Sequence, residues 1–183
     1  MPRSEANAAV PTAQSARILI VDDHPVVRRG LAQLIADEPD MEVFGEAATG
    51  AEALKALDDL QPDVVIVDIS LKDSHGIELI KQIKARDDQV KMLVWSMHDE
   101  SLYAERALRA GAMGYLNKEE PIDRVIEAIR QVLRGHVHLS SKMVEKLLHR
   151  AVSGNEPHER SNIETLSDRE LEVFELIGQG LTT

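Results

Sequence analysis

From residue 17 onward the chain alternates short apolar runs with longer stretches in which apolar residues recur every three or four positions. The runs "RILIVD" (17–22), "MEVFGEA" (41–47), "VVIVDI" (64–69), "KMLVWSM" (91–97) and "GYLNK" (114–118) read as strands. Between them the spacing is helical. In "PVVRRGLAQLIAD", Val27, Leu31, Leu34 and Ile35 share one face, and Pro25 suits a first helical position. Thr49 can cap a helix carrying Ala53, Leu54, Leu57 and Leu60. Ile77, Ile80 and Ile83 predict a third helix, and residues 100–110 a fourth. After Pro121, the residues Ile122, Val125, Ile126, Ile129, Val132 and Leu133 form the cleanest apolar stripe in the chain.

Strands alternating with helices imply parallel strands joined by right-handed crossovers, with helices on both faces. Near-continuous apolar strands such as 64–67 fit a sheet covered on both sides. The expected architecture is therefore a doubly wound α/β domain over residues 17–136. Within 137–162, Val144, Leu147, Leu148 and Val152 predict a short helix, and "SGNEPHERSN" (153–162) reads as a polar linker. A second, all-α unit begins in 163–183. There Ser167 and Glu170 match a capping box, Leu171, Phe174 and Ile177 share a face, and Gly178 and Gly180 end the helix. A further helix could begin at Thr182. Residues 1–16 contain Glu5, Pro11 and scattered polar residues where a signal peptide needs an apolar segment, and read as a disordered tail.

Composition narrows the picture in three ways. Aromatic residues are only 3%, so the core must be built from Val, Ile, Leu and Ala. The chain has no Cys, which removes disulfides and Cys-based zinc sites and suits a reducing cytoplasm. A net charge of −11 opposes a nucleic-acid-binding surface, and no apolar run approaches the roughly 20 residues that span a bilayer.

The candidate chemistry lies at the strand ends. In an open parallel sheet, ligands bind outside the carboxyl ends of the strands. The first strand runs out at Asp22 and Asp23, the third at Asp68, the fourth at Ser96 and the fifth at Lys118. Singly, each has a plain explanation: a helix cap, a turn former, a solvated lysine. Together they bring three carboxylates, a hydroxyl and an ammonium to one rim. Clustered carboxylates repel one another and call for positive charge, which Mg²⁺, a hard cation with oxygen ligands, can supply. A carboxylate beside Mg²⁺ and lysine, with a hydroxyl in reach, suits phosphoryl transfer.

These residues carry a resemblance. Residues 17–136 resemble the receiver domain of two-component response regulators through "ILIVDDHP" (18–25), "VVIVDISL" (64–71), "VWSMHDE" (94–100) and "AGAMGYLNKEEP" (110–121). "VDDHPVVRRGL", "GEAATGAEAL" (45–54) and "LSDRELEVFELIGQGLTT" (166–183) resemble the NarL/FixJ group, whose effector is a LuxR-type helix-turn-helix. The resemblance implies a flavodoxin-like five-stranded parallel sheet of order 2-1-3-4-5. It implies that Asp68 accepts a phosphoryl group from a sensor histidine kinase. Asp23 would bind Mg²⁺ directly and Asp22 mainly through water, with Asp68 and the backbone carbonyl of Ser70 as further ligands. Ser96 and Lys118 would hold the phosphoryl oxygens. Tyr115 would be the aromatic switch, turning inward as the Ser96 loop closes on the phosphoryl group. Ser70 and His98 would flank the hydrolytic water, with His98 slowing its attack. The protein's own chemistry would be limited to self-phosphorylation and self-dephosphorylation on Asp68. A phosphorylation-dependent homodimer and transcription control through the LuxR-type unit follow.

Two features depart from the family pattern. Pro121 stands three residues after Lys118, where many receivers place proline directly after the lysine. The chain reaches Thr183 with only the first effector helix and the start of a second, and residues 156–183 hold seven acids against two arginines. On that ground DNA binding is expected only through a complete effector domain. Two other functions compete. A phosphatase of the haloacid-dehalogenase type needs a second acid two residues after its nucleophile, where this chain has Ser70. A receiver that titrates a kinase or partner, without DNA binding, is the remaining alternative. His136, His138, His149 and His158 lack the companion ligands of a metal site and are expected on the surface.

Overall fold

Val64, Val65, Ile66 and Val67 are each at most 1% exposed, because the strand they form is the middle one of five in a sheet covered on both faces. The computed structural model describes residues 15–152 and 166–178. Strands and helices alternate as β1 (Ala16–Val21), α1 (Pro25–Ala36), β2 (Met41–Ala47), α2 (Gly50–Leu60), β3 (Val64–Val67), α3 (Gly76–Arg86), β4 (Lys91–Ser96), α4 (Glu100–Ala110), β5 (Gly114–Asn117) and α5 (Asp123–Leu133). Two more helices follow, α6 (Ser141–Val152) and α7 (Asp168–Gly178). The sheet order is β2-β1-β3-β4-β5 with every pair parallel, as expected for the doubly wound fold.

The two-residue period of the strands divides the core into two layers. Leu19, Val21, Val65, Val67, Met92 and Val94 pack toward α2, α3 and α4. Ile18, Ile20, Val64, Ile66, Leu93 and Trp95 pack toward α1 and α5. Local signals behave as the sequence suggests. Pro25 occupies the first turn of α1, and the Thr49 hydroxyl accepts from Glu52 N at the start of α2. Ser167 and Glu170 form the capping box of α7: Glu170 N donates to Ser167 Oγ at 3.3 Å and Ser167 N to Glu170 Oε2 at 2.8 Å.

Several faces differ from expectation. Ile122 precedes α5 and is 46% exposed, so the buried stripe starts at Val125. On α6 the buried side is Met143 with Leu147, while Val144, Leu148 and Val152 face outward. On α7 Leu171 is buried, but Phe174 and Ile177 are exposed. His138 is buried rather than on the surface. Its backbone extends the sheet edge: His138 N donates to Met113 O and Tyr115 N to His138 O, while its Nδ1 lies 3.0 Å from Gln131 Oε1. Burial pushes its imidazole pKa below the usual value. Of the expected tail (1–16), residues 1–14 fall outside the described residues, as do the linker (153–162) and the helix start at Thr182, whereas Ala16 opens β1, where it pairs with Met41 instead of belonging to a tail. Among those described, no helix is long and apolar enough to cross a membrane.

Candidate functional site

The backbone first fixes where the rim lies. Asp22 N donates to Ala47 O and Asp68 N to Val21 O, so both acids continue the strand ladders by one residue. Ser96 is the last residue of β4, and Lys118 N donates back to Ser96 O just after β5. The segment after Asp68 is held from below by α3. Gly76 N donates to Ile69 O at 2.7 Å, and a Cβ at Gly76 would lie 2.2 Å from Asp68 O. Only glycine permits that approach.

On this frame the side chains converge. Lys118 Nζ donates to Asp22 Oδ2 and to Asp68 Oδ2, each at 2.6 Å. Ser96 Oγ donates to Asp68 Oδ1 at 2.7 Å. All four residues are almost wholly buried at their side chains. Asp22 Oδ1 accepts from His24 N at 2.7 Å. Asp23 Oδ1 is buried and accepts no hydrogen bond; His24 Nδ1 lies 2.7 Å away, close enough for an ion pair when protonated but without hydrogen-bond geometry.

The donor set fits a hard divalent cation. Oxygens of Asp22, Asp23 and Asp68, with a ring nitrogen of His24, lie within 4.8 Å of one another. The Lys118 ammonium pairs with two of the three carboxylates, Asp22 and Asp68, and the buried Asp23 Oδ1 accepts no hydrogen bond. Uncompensated buried charge is costly, and Mg²⁺ meets both deficits with oxygen ligands.

A second layer surrounds Asp68. Ser70 N points at Asp68 Oδ1 across 3.4 Å, and Ser70 Oγ lies 2.6 Å from His98 Nε2. The His98 carbonyl accepts from Tyr115 OH at 2.9 Å and Asn117 Nδ2 at 3.1 Å. Tyr115 is 1% exposed, so its ring already lies inside rather than awaiting an inward turn. Burial, then the charge of Asp68, pushes its phenol well above the ordinary range.

The residues singled out from sequence, Asp22, Asp23, Asp68, Ser70, Ser96, His98, Tyr115 and Lys118, thus share one end of the sheet. His24, Asn117 and Glu175 were not anticipated. His24 adjoins Asp23 and Asn117 adjoins Lys118, so adjacency to a strand end would have found them. Glu175 Oε2 reaches His98 Nδ1 at 2.6 Å from 77 residues away, and no local pattern signals it.

Residues 18–130 match the response regulator receiver domain family. The chain is 37% identical over 171 residues to the transcriptional regulatory protein LiaR of Bacillus subtilis, covering 91% of this chain and 78% of LiaR. It is 30% identical to the nitrate/nitrite response regulator protein NarL of Escherichia coli, covering 92% and 77%. Among solved structures, a LuxR-family two-component response regulator from Aurantimonas sp. superposes with a TM-score of 0.70 at 34% identity, covering 76% of this chain and 99% of that one. The match over nearly all of the α/β unit, with relatives that share most of their length, places this chain in the response regulator receiver family, among LuxR-family regulators of the NarL and LiaR type.

Proposed function

We propose that Asp68 is the phosphoacceptor of this response regulator and that a sensor histidine kinase is its donor. The observation that carries this reading is the placing of one buried carboxylate between an ammonium and a hydroxyl, Lys118 at 2.6 Å and Ser96 at 2.7 Å. In the transfer, an Asp68 oxygen forms a bond to phosphorus as the bond from phosphorus to the donor imidazole breaks. The imidazole leaves with that electron pair and takes up a proton. Lys118 balances charge on the phosphoryl oxygens, and the Ser96 hydroxyl turns from the carboxylate to one of them. Asp22, Asp23, Asp68 and the Ser70 carbonyl would hold Mg²⁺, which when bound neutralises charge on the transferring group. His98 lies on the segment that must follow Ser96, and Tyr115 on β5 donates to the His98 carbonyl. The β4–α4 connection is therefore the mobile element through which residues 17–136 report to the LuxR-type unit that α7 begins, with transcription as the output. Association of two phosphorylated copies belongs to the same reading.

The test is chemical. Acetyl phosphate with Mg²⁺ should label one residue, Asp68, as read by mass spectrometry. Asp68→Asn should remove the label, and Asp23→Ala should remove it by removing the metal. Equal labelling of Asp68→Asn would overturn the assignment.

A further inference from the structure

The His98 imidazole is engaged at both nitrogens. Nε2 lies 2.6 Å from Ser70 Oγ, and Nδ1 lies 2.6 Å from Glu175 Oε2. The same Glu175 oxygen accepts from Tyr103 OH at 3.2 Å, and the His98 and Tyr103 rings meet with centroids 4.6 Å apart. His98 and Glu175 side chains are only 16% and 17% exposed. Glu175 does not belong to the α/β unit; it comes from α7.

Side-chain contacts anchor that helix on the α/β unit. Asp168, Leu171 and Glu175 stand at i, i+3 and i+7, on one face of the helix. Leu171 is 1% exposed in the core formed with α3 and α4. Asp168 pairs with Arg106 at 3.0 Å and Lys81 at 3.4 Å. Anchored one and two turns earlier, the helix carries Glu175 to the ring.

We propose that Glu175 is a positioning residue of the phosphoryl site, holding the His98 imidazole against Ser70 and so lengthening the life of phosphorylated Asp68. The inference rests on the reading of Asp68 as phosphoacceptor. With its hydrogen on Nδ1 toward the Glu175 carboxylate, the ring offers the Nε2 lone pair to the Ser70 hydroxyl. Ser70 N reaches Asp68 Oδ1 at 3.4 Å, so the Ser70–His98 pair stands next to the Asp68 carboxylate. With the two held together, the Ser70 hydroxyl gives its one donor to the ring and both ring nitrogens are engaged, so neither side chain has a free donor to aim at a water. Hydrolysis needs such a water. Its oxygen bonds to phosphorus, the bond from phosphorus to the Asp68 oxygen breaks, the carboxylate leaves with the electron pair, and the water's proton passes to solvent. Without Glu175, the ring can swing away, free the Ser70 hydroxyl and open the approach.

Phosphoprotein decay should be followed in the full chain with Mg²⁺, after labelling with acetyl phosphate. Glu175→Ala should lose phosphate about three-fold faster than wild type. Glu175→Gln, which keeps a neutral acceptor for Nδ1–H, should fall between them. Leu171→Ala, which loosens the helix without touching the ring, should shift the rate in the same direction. In a His98→Ala background, Glu175→Ala should add nothing, because the ring is what it acts through. Nitrogen-15 NMR of the unphosphorylated chain gives an independent reading: His98 should carry its hydrogen on Nδ1 in wild type and lose that preference in Glu175→Ala. Equal decay of wild type and Glu175→Ala, an unchanged tautomer, or an undiminished Glu175→Ala effect without His98 would each overturn the proposal. Phosphoprotein with equal lifetimes removes this inference alone. Absence of phosphoprotein in every variant removes the Asp68 reading and this inference with it.

Discussion

Lys118 Nζ meets Asp68 Oδ2 at 2.6 Å, joining strand ends separated by 50 residues of sequence. The pair is buried, with side-chain exposures of 7% and 4%, and the same ammonium serves Asp22. Removing one partner of a buried pair leaves the other's charge without compensation, which costs about 3–5 kcal/mol. Lys118→Met should therefore lower the urea midpoint strongly when Mg²⁺ is absent. Adding Mg²⁺ should restore much of the loss, since a ligand that binds only the folded state stabilises it by mass action. A variant as stable as wild type without Mg²⁺ would show that the carboxylates do not depend on this lysine.

Gly76 makes a different prediction from the same site. An added methyl would meet Asp68 O at 2.2 Å and Ile69 Cα at 2.7 Å, and backbone atoms cannot rotate aside. Gly76→Ala should push α3 from the strand end, destabilise by about 3 kcal/mol or more, and displace Asp68. Thermal unfolding reads the first effect and acetyl phosphate labelling the second. Wild-type values in both would contradict the close approach.

The limits of the sequence reading are visible in particular residues. Asp22, Asp68 and Lys118 were legible because each directly follows a strand, and strand ends in a parallel sheet share one rim. The helices facing the sheet were legible through their three-to-four residue spacing. His138 was not, because its burial comes from a backbone bridge to the β5 edge and not from any periodic pattern. Nor was the exposure of Phe174 and Ile177, since helical spacing marks an apolar face without saying what covers it. The His98–Glu175 contact joins two units whose local patterns are independent.

His138 gives a pH prediction. Its folded-state pKa lies below the unfolded value near 6.5, chiefly through burial. The unfolded chain therefore takes up a proton first as pH falls. The stability that His138 contributes is present in full above about pH 6.5 and is lost as pH drops through that value toward the folded pKa. His138→Gln should flatten this part of the stability profile, measured as urea midpoints from pH 7.5 to 5.5. An unchanged slope would assign the loss to other groups.

The indole of Trp95 offers a direct view of the metal. It is the chain's single tryptophan, 7% exposed on β4, and Lys118 Nζ lies 5.5 Å from its ring centroid. That ammonium is now held by Asp22 and Asp68, two of the carboxylates expected to bind Mg²⁺. A divalent cation sharing those oxygens weakens their grip on the lysine and changes the field at the ring. Mg²⁺ titration should therefore produce a saturable change in tryptophan emission, with one site's curvature. Asp23 does not touch Lys118 through any described contact, yet it offers the buried acceptor left without a hydrogen bond. Asp23→Ala should abolish the saturable response while leaving the starting emission close to wild type. A response that persists in Asp23→Ala, or one that rises linearly with salt, would place the cation elsewhere.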